Sequence, residues 1–132
     1  MTNINVLVVD DSSTMRRIVA KALMDLGLSE DHITQAVDGV DALEKLKAKK
    51  KFDLVLTDWN MPKMDGLALV NNIKLIPESQ DIPIVMITTE GSKKEVIEAL
   101  KSGVNNYLVK PFNLETLKIK LFPILKKIEN KS

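Results

Sequence analysis

Two consecutive acids, Asp10-Asp11, close a short branched apolar run from Ile4 to Val9, and a third, Asp58, follows Leu54-Val55-Leu56 and Thr57. Runs of this length and branching fit buried strands, and the second leads into a segment broken by Pro62 and Gly66. All three carboxylates therefore stand at strand mouths. In open parallel sheets the carboxyl ends of the strands form the ligand crevice, so acids there are placed for chemistry rather than for packing. Two further strand ends add Thr88 and Lys110. Three carboxylates brought close repel one another and need a cation or a proton. With oxygen donors alone and no His or Cys beside them, the expected ion is hard, and a shallow site with few carboxylates favours Mg²⁺ over a dedicated Ca²⁺ cage. A carboxylate can also attack phosphorus and form an acyl phosphate if a metal and a cation neutralise the group in transit. Lys110 would be that cation, and the Thr88 hydroxyl a donor to a phosphoryl oxygen.

Holding five such groups together takes strands and helices in alternation. After Asp11, Ser12 or Ser13 caps a helix whose apolar positions run from Met15 to Leu26 at three- and four-residue spacing, stopping at Gly27. His32 to Val37 is a weaker strand. Asp38 caps a helix through Val40, Leu43 and Leu46 that ends in the lysine run 47 to 51. The strand ending at Asp58 comes next, then a helix from Asp65-Gly66 to Pro77, a strand from Ile82 to Ile87, and a helix with Val96, Ile97 and Leu100 reaching Gly103. Tyr107-Leu108-Val109 is the fifth strand, and a last helix runs from about Asn113 to Ile128. This alternation predicts an α/β fold, a doubly wound five-stranded parallel sheet with five helices, and the size suggests the flavodoxin-like strand order 2-1-3-4-5. Its switch point lies between strands 1 and 3, the two that end in acids.

The 132 residues leave room for one domain and no second. A formal net charge of +1, from 19 basic and 18 acidic residues, provides no global field for nucleic acid or an anionic membrane. The absence of cysteine fits a reducing cytoplasm, and no apolar run approaches the ~20 residues that cross a bilayer. His32, the lone histidine, has no second imidazole to work with.

Asp10-Asp11, Asp58, Thr88 and Lys110-Pro111 resemble the signature of response-regulator receiver domains. The longer stretches Asp10-Asp11-Ser12-Ser13-Thr14-Met15-Arg16-Arg17, Asp58-Trp59-Asn60-Met61-Pro62 and Asn106-Tyr107-Leu108-Val109-Lys110-Pro111-Phe112 resemble the chemotaxis members of that family, and the likeness extends from Val6 to about Leu121. The resemblance implies that Asp58 accepts a phosphoryl group from a CheA-like histidine kinase. It also implies that Asp11, Asp58 and the main-chain carbonyl of Asn60 bind Mg²⁺, with Asp10 helping through water. Lys110 would pair with Asp58 across a cis bond to Pro111. Asn60 and Glu90 hold the positions that set the rate of dephosphorylation, and Thr88 and Tyr107 those of the switch.

By the same resemblance, residues 1–132 form a single receiver with no output domain, a monomeric cytoplasmic signalling protein rather than a turnover enzyme. Its surface of helix 4, strand 5 and helix 5 would dock the flagellar motor switch protein FliM through Lys93, Val96, Leu100, Tyr107 and Lys120, with a dedicated phosphatase left open as a further partner. Two features depart from the family pattern. Pro123 in the last helix predicts a kink or early end there, because it removes a donor and crowds the Ile119 carbonyl. Ile119 and Phe122 point away from the Leu114, Leu117, Leu121 and Leu125 stripe and would widen the partner surface.

Other classes fit less well. A metal-dependent aspartyl-phosphate hydrolase would place its nucleophile and acid two residues apart on strand 1 and carry a cap. A flavodoxin would bind the FMN phosphate after strand 1, where Asp10 and Asp11 repel it. A phosphorelay or phosphate-sink receiver without a motor partner is the nearest alternative.

Overall fold

The computed structural model describes residues 3–48 and 51–131, so Lys49 and Lys50 of the lysine run lie outside the described residues. The order of elements is β1 (Val6–Val9), α1 (Ser13–Asp25), a 3₁₀ turn (Glu30–His32), β2 (Ile33–Ala36), α2 (Gly39–Lys47), β3 (Leu54–Thr57), α3 (Gly66–Leu75), β4 (Ile84–Thr88), α4 (Lys93–Ser102), β5 (Asn106–Val109) and α5 (Leu114–Lys131). All strand pairings are parallel, in the order β2-β1-β3-β4-β5. This is the flavodoxin-like sheet expected from the alternation.

Because successive strand residues face opposite sides, β1 divides its side chains between two cores. Leu7 and Val9 pack with Val55, Leu69, Val70, Ile73 and Ala99 under α2, α3 and α4. Val6 and Val8 pack with Leu56, Val19, Leu23, Leu117, Leu121 and Leu125 under α1 and α5. The central strands β1, β3 and β4 are buried on both faces, which is why they read as unbroken apolar runs.

Helix starts follow side-chain caps. The Ser12 hydroxyl accepts from the Met15 amide at 3.2 Å, Asp38 from Asp41 at 2.8 Å, and Asp65 from Ala68 at 2.8 Å. Gly103, at φ 111°, ends α4 in the left-handed region that a side chain would disfavour.

Several boundaries differ from expectation. His32 belongs to the turn before β2 and not to the strand, because the Ser29 hydroxyl and carbonyl capture the Asp31 and His32 amides. β4 begins after Pro83, which has no amide to give to a ladder. The inner face of α2 is Gly39, Ala42, Leu43 and Leu46, leaving Val40 exposed. α2 itself ends at Lys47, short of the rest of the lysine run. Pro123 does not end α5, which continues to Lys131 with Leu121 and Leu125 buried on either side of the proline, so packing holds the helix where its own ladder is interrupted.

Candidate functional site

The first three groups meet because β1 and β3 run in register, Val9 opposite Thr57. One residue further, the Asp10 amide donates to the Ala36 carbonyl at 3.1 Å and the Asp58 amide to the Val9 carbonyl at 3.0 Å, so both acids emerge from continuing ladders. Asp10 Oδ1 accepts from the Ser12 amide at 2.9 Å, and Asp58 Oδ1 from the Trp59 amide at 2.6 Å. The other oxygen of each accepts from Lys110 Nζ, at 3.2 Å for Asp10 and 3.0 Å for Asp58. Pairing of Lys110 with Asp58 was expected; its second bond, to Asp10, was not.

Asp10, Asp11 and Asp58 can each present one oxygen with all three within 4.8 Å of one another. Burial pushes the Asp10 carboxyl above its ordinary value, against the lowering effect of the Ser12 amide and of Lys110. Burial pulls Lys110 down, but its bond to Asp58 and the two carboxylate charges outweigh this and raise it. One ammonium is thus bonded to two of the three acids. Oxygen donors gathered this closely, with a charge excess and one strained by burial, fit a hard divalent ion.

The second half of the site is built on the loop after β4. Thr88 is fully buried, and its hydroxyl oxygen accepts from the Glu90 amide at 3.3 Å. Asn60 Nδ2 donates to the Glu90 carboxylate at 2.8 Å, spanning from the loop after β3. The Tyr107 hydroxyl donates to the Glu90 carbonyl, and burial followed by the charges of Glu95, Glu90 and Asp58 pushes this phenol up to about 12. Lys110 is brought to the mouth by its amide, which donates to the Thr88 carbonyl at 2.8 Å, and its bond to Pro111 is cis.

Two contributors escaped sequence reading. Gly66 donates its amide to the Trp59 carbonyl at 2.7 Å and lies so close to Asp58 that only hydrogen fits there. Arg16 returns from α1 to donate to the Asp10 carbonyl at 2.7 Å. The turn-forming character of the first and the neighbouring acids of the second were the available signals, and neither names its target.

The family model for the response regulator receiver domain matches residues 6–122. The chain belongs to the response regulator receiver family. This receiver is 54% identical over 119 residues to chemotaxis protein CheY1 of Helicobacter pylori, covering 90% of the chain and 94% of the relative. It is 48% identical over 126 residues to CheY-3 of Vibrio cholerae, at 96% and 95% coverage. Among solved structures, chemotaxis response regulator CheY4 of Vibrio cholerae superposes with a TM-score of 0.82 at 37% identity, covering 96% of this chain and 99% of that one. The receiver is of the CheY-like chemotaxis type. Receiver domains bind Mg²⁺ at an acidic pocket, and this receiver carries a cluster of three acids, Asp10, Asp11 and Asp58.

The expected partner surface divides in two. Lys93 and Leu100 are exposed on α4, with Val96 half-buried, and Tyr107 and Lys120 line a cavity of about 250 Å³ with Val109, Phe112 and Thr116. Ile119 and Phe122 are exposed, at 70% and 46%, but do not line that cavity. On the same helix, the Lys118 ammonium reaches Asp25 of α1 at 3.7 Å. Among the described residues no helix is long and apolar enough to cross a membrane.

Proposed function

We propose that the receiver takes a phosphoryl group onto Asp58 from the phosphohistidine of a CheA-like histidine kinase and, so loaded, docks on the flagellar motor switch protein FliM. The observation that carries this reading is Lys110 Nζ held between Asp58 Oδ2 and Asp10 Oδ2, at 3.0 and 3.2 Å. An Asp58 oxygen attacks phosphorus as the P–N bond breaks, and the departing imidazole nitrogen keeps the electron pair and is protonated from solvent. The product is an acyl phosphate on Asp58. Lys110 then donates to a phosphoryl oxygen in place of the carboxylate oxygen it has lost. Asp11, Asp58 and the Asn60 carbonyl, with Asp10 acting through water, would hold Mg²⁺, which when bound supplies the remaining charge neutralisation.

Thr88 already accepts a bond from Glu90, so its own proton is free to go to the phosphoryl group. That new bond biases the Glu90 loop, and with it Tyr107, toward one of two states. Moving the population from mostly off to mostly on takes about 5.5 kcal/mol of differential interaction, within reach of a few charge-assisted bonds. Asn60 and Glu90, bonded across the mouth, govern how water reaches the acyl phosphate. Output passes through Lys93, Val96, Leu100, Tyr107 and Lys120. In this reading the protein is a cytoplasmic, monomeric signalling receiver rather than a turnover enzyme, and whether a dedicated phosphatase acts on it is left open.

The test is a pull-down from lysate with receiver loaded with Mg²⁺ and beryllofluoride, a mimic of the phosphoryl group, beside unloaded protein and Asp58→Asn. Retention of a switch component by the loaded wild type alone is expected. Phosphotransfer proteins alone, in either state, would replace the motor reading with a relay or sink on the same chemistry.

A further inference from the structure

Asp10 has a partner at each of its four polar positions. Its amide is bonded to Ala36, its carboxylate oxygens to Ser12 and Lys110, and its carbonyl oxygen accepts from Arg16 Nη1 at 2.7 Å. The last bond is the unusual one. That carbonyl belongs to the peptide unit joining Asp10 to Asp11, and it has left the sheet, so no strand partner fixes its plane. Asp11, exposed, is carried on the far side of the same plane.

Arg16 is itself held. Its Nε donates to Gln35 Oε1 at 3.1 Å on the edge strand β2. The Gln35 carbonyl accepts from Lys45 Nζ at 2.9 Å, and Lys45 is paired at 2.9 Å with Asp41, whose other oxygen accepts from the Val37 amide at 3.0 Å. A guanidinium offers donors in a rigid fork, so one side chain can grip a carbonyl and an amide oxygen at a set angle. A lysine would reach only one of them at a time.

We infer that Arg16 is a positioning residue for the metal: by bonding the Asp10 carbonyl while anchored to Gln35, it fixes the Asp10-Asp11 peptide plane and so the direction in which Asp11 meets Mg²⁺. The inference rests on the proposed Mg²⁺ reading. It also opposes the simplest electrostatic expectation. A cation this close to an acid cluster should weaken binding of a second cation, so if charge were its whole effect, removing it would tighten Mg²⁺. Positioning predicts the reverse sign, because partners beyond the direct ligands typically hold about ten- to a hundredfold of metal affinity.

The experiment is a Mg²⁺ titration, with Mg²⁺ alone as the probe and Trp59 fluorescence as the readout, on wild type, Arg16→Lys, Arg16→Met and Gln35→Met, with urea unfolding of each. Arg16→Lys and Arg16→Met are expected to bind Mg²⁺ about tenfold more weakly. Gln35→Met, which keeps Arg16 but removes its anchor, should lose a smaller factor and guards against a folding defect at Arg16. At saturating Mg²⁺, phosphorylation by a small phosphodonor should return close to the wild-type rate, placing the loss in affinity. Wild-type affinity in Arg16→Lys, or tighter binding in Arg16→Met, overturns the inference and leaves Arg16 a charge; a fall in urea midpoint with unchanged affinity leaves it purely structural and overturns the inference equally. No Mg²⁺ response in the wild type, with Asp11→Asn as control, would instead sink the metal reading on which it stands.

Discussion

A side-chain carbon placed on Gly66 would lie 2.0 Å from the Asp58 carbonyl oxygen and 2.9 Å from the Trp59 Cα, backbone atoms that cannot swing aside. The first residue of α3 is thus packed against the residue proposed to carry the phosphoryl group. Gly66→Ala must move one of the two, and should lower stability by about 1 to 3 kcal/mol in urea unfolding. It should also weaken Mg²⁺ binding read from Trp59, whose amide holds Asp58.

Asp10 is raised by burial, so its folded pKa exceeds the unfolded one and the folded state holds this proton more tightly than the unfolded chain does. The stability this gives is present at low pH and is lost as pH rises through the raised pKa. Asp10→Asn removes the penalty. Without Mg²⁺ it should have the higher urea midpoint at neutral pH, and the advantage should vanish as pH falls toward the ordinary Asp value of 3.8.

Tyr107 is the lone tyrosine, so its ionisation can be followed by phenolate absorbance without assignment. Its pKa should be near 12 in the folded protein against 10.0 unperturbed. A raised pKa means that stability present below pH 10 is lost between 10 and 12, and Tyr107→Phe should flatten that part of the profile.

Pro123 lies inside α5 with buried leucines before and after it. A helical proline forfeits a backbone bond at a cost of about 3 kcal/mol, and residue 123 is exposed, so Pro123→Ala should restore a donor to the Ile119 carbonyl without disturbing the core. A gain of roughly 1 to 3 kcal/mol in unfolding free energy is expected. A neutral result would mean that the surrounding packing already accommodates the missing bond.

The α4 face and Lys120 should separate from Phe122 in binding. Leu100→Ser and Lys120→Ala should each weaken capture of the switch component by the loaded receiver about tenfold, the loss of an anchor worth ~1.4 kcal/mol. Phe122→Ser should change it by less than about twofold, because Phe122 does not line the Tyr107 cavity. Comparable losses at both positions would extend the partner footprint around the helix.

The acids, the lysine and the strand order were legible because they depend on where apolar runs stop, and a run of buried strand residues ends abruptly in sequence as it does in space. The capping of α2 by Asp38 was legible for a similar reason, since a cap acts on residues next to it. Gly66, Arg16 and the Tyr107 to Glu90 bond were not, because each reaches a backbone atom of another element, and a backbone target leaves no mark on residue type. The exposure of Ile119 and Phe122 followed from helix phase alone. Whether they border the Tyr107 cavity did not, since phase gives an angle around one helix and says nothing of which element lies at that angle.

The pairing of β1 with β3 runs from Val6 opposite Leu54 to Val9 opposite Thr57, with Asp10 and Asp58 one step past the last row and Asp11 one step further. A slip of one residue would turn every side chain of a strand to the other face and part Asp10 and Asp11 from Asp58. The acid cluster is therefore a checksum on the threading of the chain. A misaligned molecule could still be apolar inside, yet it would have no place for the ion, so if the cluster holds Mg²⁺ as proposed, ion present during folding would stabilise one alignment and none of its neighbours. In that reading one ion would serve signalling at the surface and proofread the sheet beneath it.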